Sequence, residues 1–289
     1  MPRQTLTPAL RPDVFLSDQF PPGLVSALQA HWQPLAATIA GWSVQAAHPL
    51  LIGLSGAQGS GKSTLAALLV QLLARRHGLR TVAVSLDDFY LTRIERQQLA
   101  ATIHPLLATR GPPGTHDLLL MQDTLAALQQ PGQAVAIPRF HKPIDDRAPE
   151  SDWPRLPTPV DVIIFEGWCL GARPQAGVEL TPPLNALEAE DDPNCVWREY
   201  VNNQLASSYA RLWASFDKFL LLQAPSWSSI CRWRAEAERL LPGGPAMTAP
   251  ELACFMQHYE RTARSLLAAP PQADMVWRLD ENRRVAGRT

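Results

Sequence analysis

The sequence offers little that would tie it to an oxidising compartment or a bilayer. Its 289 residues include only 4 cysteines, and Cys169, Cys195, Cys231 and Cys254 lie far apart with no C-x-x-C pair. Neither a disulfide framework nor a zinc site is suggested, so the four thiols are expected to be reduced and mostly packing residues. Met1 to Phe15 has no apolar signal core, and the apolar stretch Leu65 to Ala74 falls short of the ~20 residues a spanning helix needs. An excess of charge is also missing. Lys plus Arg number 26 against 27 Asp plus Glu, so no overall field draws the chain to nucleic acid or anionic lipid. The expectation is a cytoplasmic protein with a small-molecule substrate, and neither nucleic acid nor membrane as partner. There is no internal repeat.

What is present is a phosphate loop. Gly56-Ala57-Gln58-Gly59-Ser60-Gly61-Lys62-Ser63 fits G-x-x-x-x-G-K-[ST], and it follows Leu50 to Leu54, an apolar run that reads as a buried strand. The glycines let successive backbone N–H groups turn inward. The start of the following helix, at Ser63 and Thr64, adds partial positive charge toward a polyphosphate. Gly56 to Thr64 are therefore assigned to a nucleoside triphosphate, with Lys62 reaching the β- and γ-phosphates. Ser63 would give one oxygen to Mg²⁺, a hard cation that prefers oxygen ligands.

Around this loop, strand and helix patterns alternate. Thr64 to His77 reads as a helix stopped by Gly78, Thr81 to Leu86 as a strand, Leu118 to Gln130 as a helix and Ala134 to Pro138 as a short strand. Val160 to Phe165, Lys218 to Gln223 and Asp274 to Leu279 read as strands. Val196 to Phe216 and Ser226 to Leu241 read as helices, and Thr248-Ala-Pro-Glu251 as a capping box opening another. The alternation predicts an α/β fold, a mostly parallel sheet with helices on both faces. Residues 1–48 are expected to be a helical extension packed on the core, interrupted at Pro34, and residues 49–289 the main domain. Proline-rich loops at Gly111 to Gly114, Arg139 to Pro159 and Arg173 to Pro183 are long for connectors and are expected to serve substrate or lid functions.

Two further acids belong with the phosphate loop. No N-K-x-D guanine-reading segment occurs, and the LSGGQ-like residues 54–58 lie inside the loop itself, which argues against a GTPase switch and a transporter ATPase. Asp87-Asp88-Phe89-Tyr90 follows the second strand directly, at the carboxyl edge of the sheet where ligands of open α/β folds bind. Asp87 is expected to accept the proton of an acceptor hydroxyl, with Asp88 and Tyr90 beside it in the substrate site. Val162 to Trp168 is a buried strand ending in Glu166-Gly167, which puts Glu166 where a carboxylate would serve the Mg²⁺ shell. Asp161 starts that strand and is not expected to reach the metal.

GAQGSGKST, SLDDFY, Arg110-Gly-Pro-Pro-Gly-Thr-His116-Asp117 and FEGWCLG together resemble plant-type D-glycerate 3-kinase and its microbial relatives. Further segments agree in order: Pro138 to Phe140, Val201 to Leu205, Trp233 to Glu238 and Leu279 to Arg283. A more distant resemblance, through the P-loop, D-x-F and E-G elements, is to uridine kinase, phosphoribulokinase and bacterial pantothenate kinase. The resemblance implies a P-loop NTPase kinase fold and an ATP- and Mg²⁺-dependent phosphotransferase, with D-glycerate the leading acceptor. A nucleoside, a pantothenate-like compound or another sugar acid stays open as acceptor, as does a nucleotide-dependent regulatory protein. In the family's substrate loop, Arg110 becomes the preferred partner of a substrate carboxylate, ahead of Arg139, Lys142 and Arg147. His116 and Asp117 join the same site, Asp117 as a hydroxyl acceptor. Arg234 falls where related kinases carry a lid and is expected to neutralise charge in the transition state.

Overall fold

The computed structural model describes residues 27–240 and 247–289. The first 26 residues of the expected extension, and Leu241 at the expected end of the Ser226 helix, lie outside the described residues. The framework is a six-stranded sheet of β1 (Leu50–Gly56), β2 (Thr81–Ser85), β3 (Val162–Gly167), β4 (Lys218–Gln223), β5 (Met275–Leu279) and β6 (Val285–Arg288). In space the order is β6-β5-β4-β1-β3-β2. All pairs are parallel except the β5–β6 hairpin. The sequence reading did not include β6, whose four residues carry little apolar signal.

Both faces are covered, which is why the central strands are apolar at every position rather than alternately. Leu50, Ile52 and Leu54 of β1 and Val162 and Ile164 of β3 point into one core with helices α1 (Gln33–Gln45), α2 (Lys62–His77), α6 (Trp227–Arg239) and α7 (Ala249–Ala268). Leu51, Ile163 and Phe165 point the other way, against Met121, Leu125 and Leu128 of α4 (Leu118–Gln129) and the segment around Tyr209 and Leu212 that continues α5 (Val196–Gln204). Both cores receive residues from α7.

Pro34 does not interrupt the first helix. It sits in the first turn of α1, where proline is tolerated, and α1 continues a π-helical turn at Leu28–Trp32. Leu28, Trp32, Leu35, Ala36 and Ile39 are all buried in the core that holds β1 and α2. A helix α3 (Arg93–Thr102), absent from the sequence reading, opens with a capping box of Thr92 and Glu95. The box of Thr248 and Glu251 opens α7. The four cysteines are free; Cys169 is buried, Cys195 and Cys231 are half-buried and Cys254 is exposed, so Cys254 is no packing residue. No described helix is long and apolar enough to cross a membrane.

Candidate active site

The carboxyl edges of β1, β2 and β3 lie side by side, because β3 pairs with both of the others. Each strand therefore delivers its C-terminal residues to one place. From β1 comes the loop Gly56 to Gly61, and Lys62 and Ser63 begin α2. From β3 comes Glu166, 4% exposed. Its Oε1 accepts a hydrogen bond from Ser63 Oγ at 2.7 Å, and Lys62 Nζ stands 3.7 Å from its Oε2. Oε2 is buried and has no hydrogen-bond donor. A hydroxyl and a carboxylate with an unused buried lone pair are hard oxygen donors suited to Mg²⁺. Among the described residues no group of three or more His, Cys, Asp or Glu could cage a metal, and Mg²⁺ does not require one, since it keeps waters and phosphate oxygens. Asp161, at the far end of β3, pairs with Arg80 at 2.9 Å and stays away from this edge.

β2 ends in the acids. Asp87 Oδ2 pairs with Lys142 Nζ at 2.6 Å, and its Oδ1 accepts from the Tyr90 hydroxyl at 3.0 Å. Burial alone would raise its pKa, but Lys142, Lys62 and the two hydrogen bonds outweigh it and hold the carboxyl well below the usual carboxylate range. Asp88 faces elsewhere. It binds Arg139 Nη1 at 3.0 Å and accepts from the Phe140 amide at 3.2 Å. Burial lifts its pKa to about 6, against the pull of Arg139 and with a small push from Asp87. The same burial acts on both acids, and only at Asp87 do the neighbouring cations outweigh it.

By sequence Lys142 is one of four candidate cations for a substrate carboxylate. The fold lifts it to Asp87 on a short antiparallel ladder, Phe140–His141 against Asp146–Arg147. The same turn presents Asp145, with φ of 54°, to two arginines. Arg110 pairs with Asp145 Oδ1 and lies over the Phe140 ring at 5.6 Å. Arg96, 1% exposed, reaches Asp145 Oδ2 at 2.9 Å and the carbonyls of Leu91, Ala108 and Asp145. Arg96 was missed because nothing in its local sequence marks it; its position beneath this turn is set by tertiary contact.

The segment Arg110 to Asp117 is held against Phe89 to Leu91 by Leu91 N to Thr115 O (2.9 Å) and Asp117 N to Phe89 O (2.7 Å). Gly111, at φ of 131°, lies so close to α7 that a Cβ would clash with the Tyr259 hydroxyl. His116 stacks on Tyr90 with centroids 4.6 Å apart. The Tyr209 hydroxyl accepts from Gly114 N at 2.8 Å and shares a hydrogen bond with His116 Nδ1 at 2.7 Å. Burial lowers the ring's pKa to about 3, so the imidazole is neutral, and its Nε2 is a buried atom with no partner. Asp117, expected to take a hydroxyl, is engaged at both oxygens: it caps α4 through Leu120 N (3.0 Å) and binds Arg147 at 3.1 Å.

α6 starts after β4 and packs over the phosphate loop. Arg234 pairs with Glu238 at 2.5 Å and Arg232 with Glu281 at 3.5 Å. Trp233 is fully buried and donates to Glu281 O at 2.8 Å. Arg283, not among the expected site residues, lies over Trp233 at 5.4 Å, pairs with Glu236 at 2.6 Å and donates to Gly59 O at 2.7 Å. The C-terminal hairpin thus fastens α6 to the phosphate loop.

A family model described as Phosphoribulokinase / Uridine kinase family matches residues 51–171, the stretch that holds all three strand ends. The chain is 34% identical over 222 residues to the uncharacterized kinase mug58 of Schizosaccharomyces pombe, covering 73% of this chain and 78% of that protein. It is 33% identical over 222 residues to the chloroplastic D-glycerate 3-kinase of Arabidopsis thaliana, covering 73% of this chain but 46% of the plant protein. The solved structure of a D-glycerate 3-kinase from Cryptococcus neoformans superposes with a TM-score of 0.71 at 26% identity, over 88% of this chain and 98% of that one.

Proposed function

The chain belongs to the phosphoribulokinase/uridine kinase family of P-loop kinases, and on that premise we propose that it phosphorylates a small hydroxy acid with Mg-ATP, D-glycerate being the acceptor and 3-phosphoglycerate the product. The observation that carries this reading is an ionised carboxylate at the phosphate loop with cations gathered about it: Asp87 faces Lys142 and is acted on by Lys62. Arg110 is near enough to act on Lys142 and on the Tyr90 and Tyr259 hydroxyls. A base beside cations suits an acceptor that brings both a hydroxyl and a carboxylate. The relatives named D-glycerate 3-kinase support the same acceptor.

In this reading the loop amides and Lys62 hold the triphosphate. Ser63 and Glu166 hold Mg²⁺, which supplies charge neutralisation at the phosphates. Asp87 orients the acceptor hydroxyl and takes its proton. Its low pKa is no obstacle, since phosphoryl transfer asks for placement and electrostatics more than for a strong base. Lys142 leaves Asp87 for the acceptor carboxylate, joined by Arg110. His116 offers its unpartnered Nε2 to the acceptor, Asp88 holds Arg139 at the rim, and Arg234 turns from Glu238 toward the transferring phosphoryl group.

The test is ADP release with Mg-ATP and D-glycerate, L-glycerate, glycolate, pantothenate or uridine, with the phosphorylated position read by NMR. Release stimulated by D-glycerate alone, with phosphate on the 3-hydroxyl, is the expected outcome. Stimulation by pantothenate or uridine and not by D-glycerate would overturn the acceptor while leaving the kinase.

A further inference from the structure

Tyr209 is fully buried, and packing alone does not account for its hydroxyl. The ring stands edge-on to Trp213 at 5.6 Å and to His116 at 5.8 Å, and a phenylalanine would fill the same space. A buried hydroxyl costs stability unless its hydrogen bonds are met. This one is met twice, and both partners lie on the loop Arg110 to Asp117. It accepts from Gly114 N at 2.8 Å and shares a hydrogen bond with His116 Nδ1 at 2.7 Å. Burial raises the pKa of the phenol well above its ordinary value, so the hydroxyl keeps its proton near neutral pH.

The backbone delivers Tyr209 to this place. α5 continues into a π turn at Leu205–Tyr209, an uncommon form that recurs at functional sites, and Tyr209 is its last residue. The loop lies directly against this helix: at Gly114, φ is 99° and a Cβ would clash with the Tyr200 ring. From His116 the contacts run on toward Asp87. The imidazole face stacks on Tyr90, and the Tyr90 hydroxyl donates to Asp87 Oδ1 at 3.0 Å. His116 is thus held at Nδ1 by one tyrosine and on its face by another, while Nε2 is buried without a partner. A ring held at one nitrogen and on one face presents the other nitrogen in one direction. Without the Tyr209 hydroxyl, nothing at Nδ1 opposes a turn about the Cβ–Cγ bond that exchanges the two nitrogens.

We propose that Tyr209 is a positioning residue for the phosphate acceptor: its hydroxyl sets the His116 ring so that Nε2 faces the acceptor, while Tyr209 itself touches no substrate. The proposal rests on the phosphotransfer reading, in which His116 meets the acceptor, and adds to it the residue on the far side of that imidazole. Its effect belongs to acceptor binding and passes through His116, leaving ATP binding and turnover at saturation untouched.

The test is a double-mutant cycle in the full chain, with Tyr209→Phe, His116→Gln and both changes together. Acceptor KM and kcat are read by ADP release with D-glycerate and the other four compounds of that assay, and Mg-ATP affinity by fluorescence. Tyr209→Phe is expected to raise the acceptor KM at least about fivefold, the worth of one well-placed hydrogen bond, with kcat and ATP affinity within twofold of wild type. In the His116→Gln background the same change should add less than twofold. An acceptor KM within twofold of wild type overturns the proposal. So does a penalty that persists in full without His116, which would make Tyr209 a brace for Gly114 alone, or an ATP affinity that falls in parallel. The ¹⁵N spectra of histidine-labelled protein need no acceptor: wild type should show one His116 tautomer and Tyr209→Phe a mixture, and equal tautomer populations in the two would also sink the idea. If no compound stimulates the wild type, the phosphotransfer reading fails, and these spectra alone decide whether Tyr209 sets the ring.

Discussion

Asp87 and His116 are buried together at one edge of the sheet, yet their environments push them in opposite directions. Asp87 keeps its charge because Lys142 and Lys62 oppose the burial that would remove it. Asp87→Asn retains the shape and loses the charge, so ATP affinity is expected to hold within about threefold while turnover falls by ~10² to 10⁴, the usual worth of a general base. Nucleotide binding by fluorescence and initial rates would separate the two, and unchanged turnover would remove Asp87 from the role. His116 is neutral in the fold, with a pKa of about 3 against ~6.5 in an unfolded chain. The unfolded state therefore binds the extra proton between those values, and stability from this residue rises with pH across that window and is lost as pH falls through it. The stability difference between wild type and His116→Gln, from urea unfolding at pH 4 and pH 7, should widen toward pH 7 by at most ~1.4 kcal/mol per pH unit. Lys62, Asp87 and Glu166 were legible in the sequence because each sits at a fixed offset from a strand end. Arg96 and Tyr209 were not, and Lys142 was only one of four candidate cations, since each reaches the site across a long chain separation that no local pattern records.

At the level of elements, the strands and the longer helices followed from apolar periodicity, and the capping box at Thr248 marked the start of α7 correctly. The same motif at Thr92 and Glu95 went unread, because α3 buries only Arg96 and so shows no apolar stripe. The contact between elements that most concerns function is that of the phosphate loop with α6. Gly59 has φ of 73°, and a Cβ there would meet Trp233 Cβ at 2.7 Å and its carbonyl oxygen at 2.9 Å. Trp233 is core and cannot retreat, so Gly59→Ala must displace either the loop or the helix. A drop of at least tenfold in ATP affinity is the expected result, measurable by calorimetry. ATP affinity equal to wild type would mean that α6 can shift at no expense to the loop.

Across the whole molecule, the π turn and α1 are part of the core rather than an ornament on it. Trp32 is 3% exposed and lies 5.4 Å from Trp277 of β5, so the first described helix and a strand near the end of the chain share one packing unit. Trp32→Ala is expected to cost ~3 to 5 kcal/mol, as for other buried aromatics, read as a lower urea midpoint with the slope unchanged. A loss below 1 kcal/mol would show that α1 docks loosely. The sheet order 6-5-4-1-3-2 was not legible beyond its being mostly parallel, because strand neighbours are chosen by helix crossovers and not by anything written within a strand. One link in that architecture bears on how the protein is made. Arg283 grips Gly59 across 224 positions of sequence, so the phosphate loop is synthesised long before the residue that braces it. Until the hairpin is in place, the loop therefore lacks one of the contacts that fix its backbone.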